Sequence, residues 1–205
     1  MRFIREHFSI ILRLFIYQIG MTFFGTVLSF ATASIKDAPL FLIASIFSIL
    51  FYIALVYNVM WEEGAKDIIR IDAGRAPKIR GDAARVSLAA SIPNFALAFL
   101  MLLGFLFGYV LQVEWMKLLY GVMHMIIGFF EAMYLGLFKT VDDWVLQSMA
   151  SATASARDMA SYGVSTALYI FSSLPIVLTS MLAYHLGTKN IRLFSFGKKI
   201  GKPSK

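Results

Sequence analysis

The stretch Glu114–Lys139, EWMKLLYGVMHMIIGFFEAMYLGLFK, is apolar enough and long enough to cross a bilayer as one helix. Within it Gly121, His124, Gly128 and Glu131 follow one another at intervals of three, four and three residues, which places all four on one helical face. Met, Ile, Leu, Phe and Val fill the other faces. On a straight helix Glu131 lies about 12 Å from the nearer end, and His124 stands about 10 Å from Glu131 along the axis. That separation is too long for a direct hydrogen bond, so each polar group needs partners from other helices or from Asn94 and Gln18. The two glycines are expected to admit a close neighbour.

The rest of the chain has the same character. It has 205 residues, 59% hydrophobic and only 15% charged, with a mean hydropathy of +0.73. The apolar residues come in blocks, so the expected solvent is lipid and the expected fold an all-α helical bundle with five or six transmembrane helices. Cysteine is absent, which excludes disulfides, thiolate metal sites and cysteine nucleophiles. A net charge of +7 in such a chain reads as lysine and arginine facing anionic lipid on the cytoplasmic side, not as a nucleic-acid surface.

Taken in order, the first span covers about 8–33, with Arg13 placed to snorkel and Gly20 and Gly25 forming a thin side. Ala31-Thr32-Ala33 has the form of a signal-peptidase site, yet the preceding apolar run is too long for a signal h-region, so an uncleaved span is expected. The second span, about 40–61, continues as helix into the charged segment Glu62–Arg70, where Glu62, Lys66 and Arg70 share a face. Gly74 and Pro77 then break it. The third span, about 86–112, is interrupted at Ser91-Ile92-Pro93-Asn94, and the last, about 162–185, at Ser172-Ser173-Leu174-Pro175. Paired proline-interrupted helices point to intramembrane binding sites in transporters. Ser148, Ala152, Ala156 and Ala160 form a small-residue ridge, Gly187 is expected to cap the last helix, and a basic tail follows over 187–205. The domain reading is a transmembrane unit over 1–186, with a charged loop at about 62–85, followed by that tail.

Charge constrains the crossings. Five spans from a cytoplasmic amino terminus divide the nineteen Lys and Arg residues eleven inside to eight outside. A sixth crossing through Trp144–Ala160 makes this sixteen to three, and a re-entrant final segment satisfies the positive-inside rule equally well. An even number of crossings with both termini cytoplasmic is therefore expected.

The candidate binding residues are His124, Glu131, Asn94 and Ser173, for a small solute or an ion. No catalytic residue, metal site or cofactor is expected. Asp67, Asp72 and Asp82 lack the spacing of a CDP-alcohol phosphatidyltransferase, and no H-E-x-x-H occurs. Gly163-Val164-Ser165 has no histidine within reach, and Arg80-Gly81-Asp82 lies on the side assigned to the cytoplasm. Arg70, Arg75, Lys78, Arg80, Lys198 and Lys199 are expected to face anionic headgroups or a protein partner.

The segments Trp61-Glu62-Glu63-Gly64-Ala65-Lys66-Asp67, Asp72-Ala73-Gly74-Arg75 and Ile92-Pro93-Asn94 resemble small uncharacterised polytopic membrane proteins of anaerobic Gram-positive bacteria. The resemblance implies a bacterial cytoplasmic membrane and carries no activity. Two function classes stand at this level: a transport-related binding or translocation subunit, and a non-transporting scaffold or regulator that recruits a partner through the basic loop and tail.

Overall fold

A computed structural model describes residues 2–33, 38–75 and 82–193. Lys78, Arg80, Lys198 and Lys199 lie outside the described residues. The elements are α1 (Arg2–Ala33), α2 (Ala38–Asp72), α3 (Asp82–Ala90), α4 (Ile92–Phe105) with a π-helical turn (Leu106–Val110), α5 (Glu114–Phe130), a 3-10 turn (Ala132–Tyr134), α6 (Leu135–Ser148), α7 (Ala154–Phe171) and α8 (Leu174–Thr188). Among the described residues four stretches are long and apolar enough to cross a membrane: Phe3–Thr32, Pro39–Asp72, Ile92–Val110 and Ala154–Thr188. A fifth exists only if α5 and α6 count as one bent span. The outward faces suit lipid. Ile16, Phe23, Val27 and Phe30 on α1 and Leu118, Met125 and Phe129 on α5 are exposed, which is compatible with a membrane protein.

The sixth crossing expected at Trp144–Ala160 is not a helix. α6 closes at Ser148 and α7 opens at Ala154, where Thr153 caps it through a side-chain bond from Ala156 N. The small-residue ridge is split by the same turn. The straight helix expected over Glu114–Lys139 is not formed either. It breaks at Glu131, and the axes of its halves meet at 84°.

Contacts fix the direction of each helix. His7 of α1 faces Asp82 of α3 at 3.9 Å, and Tyr184 of α8 donates to Asp67 of α2 at 3.0 Å. These groups gather the start of α1, the end of α2, the start of α3 and the end of α8 at one charged end. Arg13 reaches Glu62 at 3.5 Å, while Lys66 and Arg70, read from the sequence as sharing a face with Glu62, pair with Glu63 and Asp67. α8 runs parallel to α2. Gly64 sits against the Tyr184 carbonyl and Gly187 against that of Trp61, so the two backbones meet where neither residue has a side chain. Gly187 is thus a packing residue inside α8. The helix ends instead in a Schellman turn, with Asn190 at φ 55°, Asn190 N bonded to Gly187 O and Ile191 N to Leu186 O. The chain then fastens back onto α2: Trp61 Nε1 donates to Ile191 O at 2.7 Å, and Arg192 lies 4.1 Å above the Trp61 ring.

α5 and α6 form a hairpin in the other half. α5 descends beside α4, with Gly108 against Lys117 and Gly104 against Tyr120. α6 climbs antiparallel to α7: Tyr134 Oη donates to Ser172 O, the Phe138 ring meets the Tyr169 ring at 4.9 Å, and Ser161 Oγ donates to Asp142 at 2.6 Å. α6 therefore heads back toward the end from which α5 entered.

Candidate functional site

A helix broken in mid-course releases backbone carbonyls and N–H groups that lipid cannot satisfy. Here α1 and α2 supply the partners. Thr22 Oγ1 donates to Phe130 O at 2.7 Å, Ser29 Oγ donates to Ala132 O at 3.3 Å, and Gly136 N donates to Ser45 Oγ at 2.7 Å. Gly25 leaves room for the 3-10 turn, because a Cβ there meets the backbone of Ala132 and Met133. Gly20 packs against nothing.

Glu131 occupies the break with φ −108° and ψ 29° and is 1% exposed. Its Oε1 accepts from Asn94 Nδ2 at 2.8 Å. A void of about 10 Å³ adjoins the pair, lined also by Gln18, Tyr52, Ser91, Tyr134, Ser172 and Ser173, and holds on the order of one water. Three buried polar atoms around it lack a partner: Glu131 Oε2, Asn94 Oδ1 and Gln18 Nε2. No charged side chain other than Glu131 lines the void among the described residues. Gln18, Tyr52 and the Ser172–Ser173 break lie near the middle of α1, α2 and the α7–α8 stretch, so the site is at half-height in the bundle.

Asn94, Glu131 and Ser173 are thus brought together. His124 is not among them. It lies exposed on α5, stacked on Tyr120 at 5.7 Å and edge-on to Tyr169 at 5.6 Å. Tyr169 of α7 contacts His124 and also faces Glu131, so that ring, not Glu131, is the neighbour of His124. Gly128 lies under the Tyr169 hydroxyl, whereas Gly121 is exposed with open space around it. Arg70 and Arg75 are exposed at the charged end. Sequence reasoning missed Tyr52, Tyr134 and the contribution of Thr22, Ser29 and Ser45. Ser91 and Ser172 were visible beside the prolines, and both proline interruptions, α3–α4 at Ser91 and α7–α8 at Ser172–Ser173, open onto the same void.

No family model, curated protein or solved structure matches this chain.

Proposed function

We propose that this chain is a small transport-related protein of a bacterial cytoplasmic membrane, built around an intramembrane site for an ion or small solute at Glu131. The observation that carries this reading is the meeting of three interrupted helical stretches at one buried carboxylate, with three orphaned polar atoms around a void. Interrupted helices and an ionisable side chain at mid-depth are how transporters build binding sites. The test is flux in proteoliposomes. Loss of cation or proton movement in Glu131→Gln and Asn94→Ala supports the reading, and flux indifferent to both refutes it.

In this reading four spans cross the membrane, and α5–α6 enters from outside and returns there. Both termini are then cytoplasmic, and fifteen of the nineteen Lys and Arg residues fall inside, leaving Lys36, Lys117, Lys139 and Arg157 outside. The basic end, with Arg70, Arg75, Lys78, Arg80, Lys198 and Lys199, faces anionic headgroups. The chain has no cysteine, so single-cysteine labelling needs no background removal. Lys117→Cys and Lys139→Cys are expected to react with an impermeant thiol reagent from the same side, and reaction from opposite sides selects five crossings.

A second reading is favoured by one observation: the void admits about one water, so the interior is closely packed. In that reading the chain is a scaffold or regulator, and its basic end recruits a protein partner. Absence of flux in wild type, with Glu131→Gln changing only stability, selects it.

A further inference from the structure

Among the described side chains, two acceptors of the Glu131–Asn94 pair have no donor. Asn94 Nδ2 donates to Glu131 Oε1, the Ser172 hydroxyl beside Glu131 donates to Tyr169 O, and Oε2 and Oδ1 are left as buried acceptors without a donor among the described residues. One hydrogen on Oε2 turns one of these two acceptors into a donor. It also removes a net charge from the middle of an apolar bundle, where an uncompensated carboxylate is costly. A metal cation fits the void less well, because Gln18 Nε2 is a donor in its lining.

Buried polar side chains lie on α3, α4 and α8 between this pair and the charged end. There a cavity of about 520 Å³ is lined by Asp82 and Tyr184 together with His7, Glu63, Asp67 and Arg70. Along α3 and into α4, Asp82, Ser87, Ser91 and Asn94 are all buried, and Ser87 and Ser91 lie four and three residues apart on the way to Asn94. Along α8, which packs against α3, Ser173, Ser180 and Tyr184 share a face at intervals of seven and four residues. Ser87 and Ser180 are 1% and 0% exposed, and each hydroxyl donates to a carbonyl of its own helix. A hydroxyl of this kind can rotate to pass a proton on. Leu14 of α1 and Val56, Val59 and Met60 of α2 are buried and apolar.

We infer that Glu131 is a proton-binding site that exchanges with the charged end of the molecule along the serine-lined seam between α3 and α8. Binding forms one O–H bond on Oε2 and neutralises the carboxylate. Release returns the proton to the seam and leaves the carboxylate with one negative charge. The titratable groups facing Glu131 are Tyr52 from α2, Tyr134 from the 3-10 turn and Tyr169 from α7. α1, α4 and α8 present Gln18, Asn94 and Ser173 to it. The inference rests on the reading of Glu131 as a functional intramembrane site, and it names the proton as the ligand.

Infrared spectroscopy of the purified full-length protein at neutral pH tests it without any flux measurement, so its failure leaves the transport reading to its own assay. The expected result is a protonated-carboxyl stretch that Glu131→Gln removes and that shifts in D2O. Ser87→Ala with Ser180→Ala slows that shift by about tenfold, the rate equivalent of losing a hydrogen-bonded step. Thr166→Ala, buried in the half of the bundle away from the seam, leaves it unchanged. The band and its deuterium shift are read on wild type, so they stand even if a variant fails to fold. Absence of the band, its loss on adding sodium or potassium, or an exchange rate indifferent to the two serines overturns the proposal.

Discussion

Gly20 and Gly25 lie in the same helix and differ in one respect that the structure makes explicit. A Cβ at Gly20 meets nothing within 4 Å, whereas a Cβ at Gly25 comes within 2.8 Å of Met133 Cα and 2.9 Å of the Ala132 carbonyl carbon. Replacing either glycine by alanine stiffens α1 and gains about 0.5–1 kcal/mol. At Gly20 that gain is the whole effect. At Gly25 the added methyl presses on backbone of the 3-10 turn, which cannot rotate aside as a flexible side chain can, and overpacking of this kind costs about 1–3 kcal/mol. The difference between the two variants isolates that cost. Gly20→Ala is expected to raise the unfolding midpoint in detergent and Gly25→Ala to lower it, measured side by side on purified protein. If Gly25→Ala stabilises as much as Gly20→Ala, the turn does not dock on α1 and the account of the broken helix fails.

Ser45→Ala leaves Gly136 N without its acceptor at the start of α6 and is expected to cost about 1–3 kcal/mol, read as a lower thermal midpoint. Gly64→Ala and Gly187→Ala each drive a methyl into a carbonyl at the α2–α8 crossing. Each is expected to cost about 1–3 kcal/mol, and a double-mutant cycle should show strong coupling because both spread the same pair of helices. Glu131→Gln replaces the acid by an amide that can donate to Asn94 Oδ1, so its thermal midpoint should match or exceed that of wild type. Glu131→Ala, which leaves Asn94 Nδ2 without its acceptor, should lower it by the equivalent of about 1–3 kcal/mol. Gly121→Leu enters open space and is expected to stay within about 0.5 kcal/mol of wild type.

Apolar blocks and the proline interruptions were legible in the sequence because each is a local signal. Ser91 and Ser172–Ser173 do break their helices, and α2 does run on through Glu62 to Asp72. The break at Glu131 was not legible. No proline stands there, and the residues from Phe130 to Leu135 read as ordinary membrane helix. What bends the chain lies more than ninety residues away in sequence, in the hydroxyls of Thr22, Ser29 and Ser45 that take the freed backbone groups, and in the bare Cα of Gly25. His124 and Glu131, too far apart for direct contact even on a straight helix, do not meet: His124 lies against Tyr120 and Tyr169. Gly187 misled in the opposite direction: glycine near a helix end is read as a cap, yet here the missing side chain serves the contact with Trp61 and Asn190 makes the turn.

The void beside Glu131 divides the bundle along a definite line. Asn94 and Glu131 are joined by a hydrogen bond, and the α4–α5 hairpin that carries them is closely packed through Gly104 and Gly108. These elements therefore tend to move as one body. Gln18, Tyr52 and Ser173 belong to α1, α2 and α8, a second body closed at the charged end by Gly64 and Gly187. Two of the orphaned atoms sit on the first body and one on the second, and the outer face of α5 carries exposed Leu118, Met125 and Phe129 in place of a further protein layer. Parting α1 from the turn breaks the bonds from Thr22 and Ser29 but not the Asn94–Glu131 bond. A variant that tightens the Thr22–Phe130 contact between α1 and the turn should therefore slow proton exchange at Glu131 without changing the carboxyl band itself.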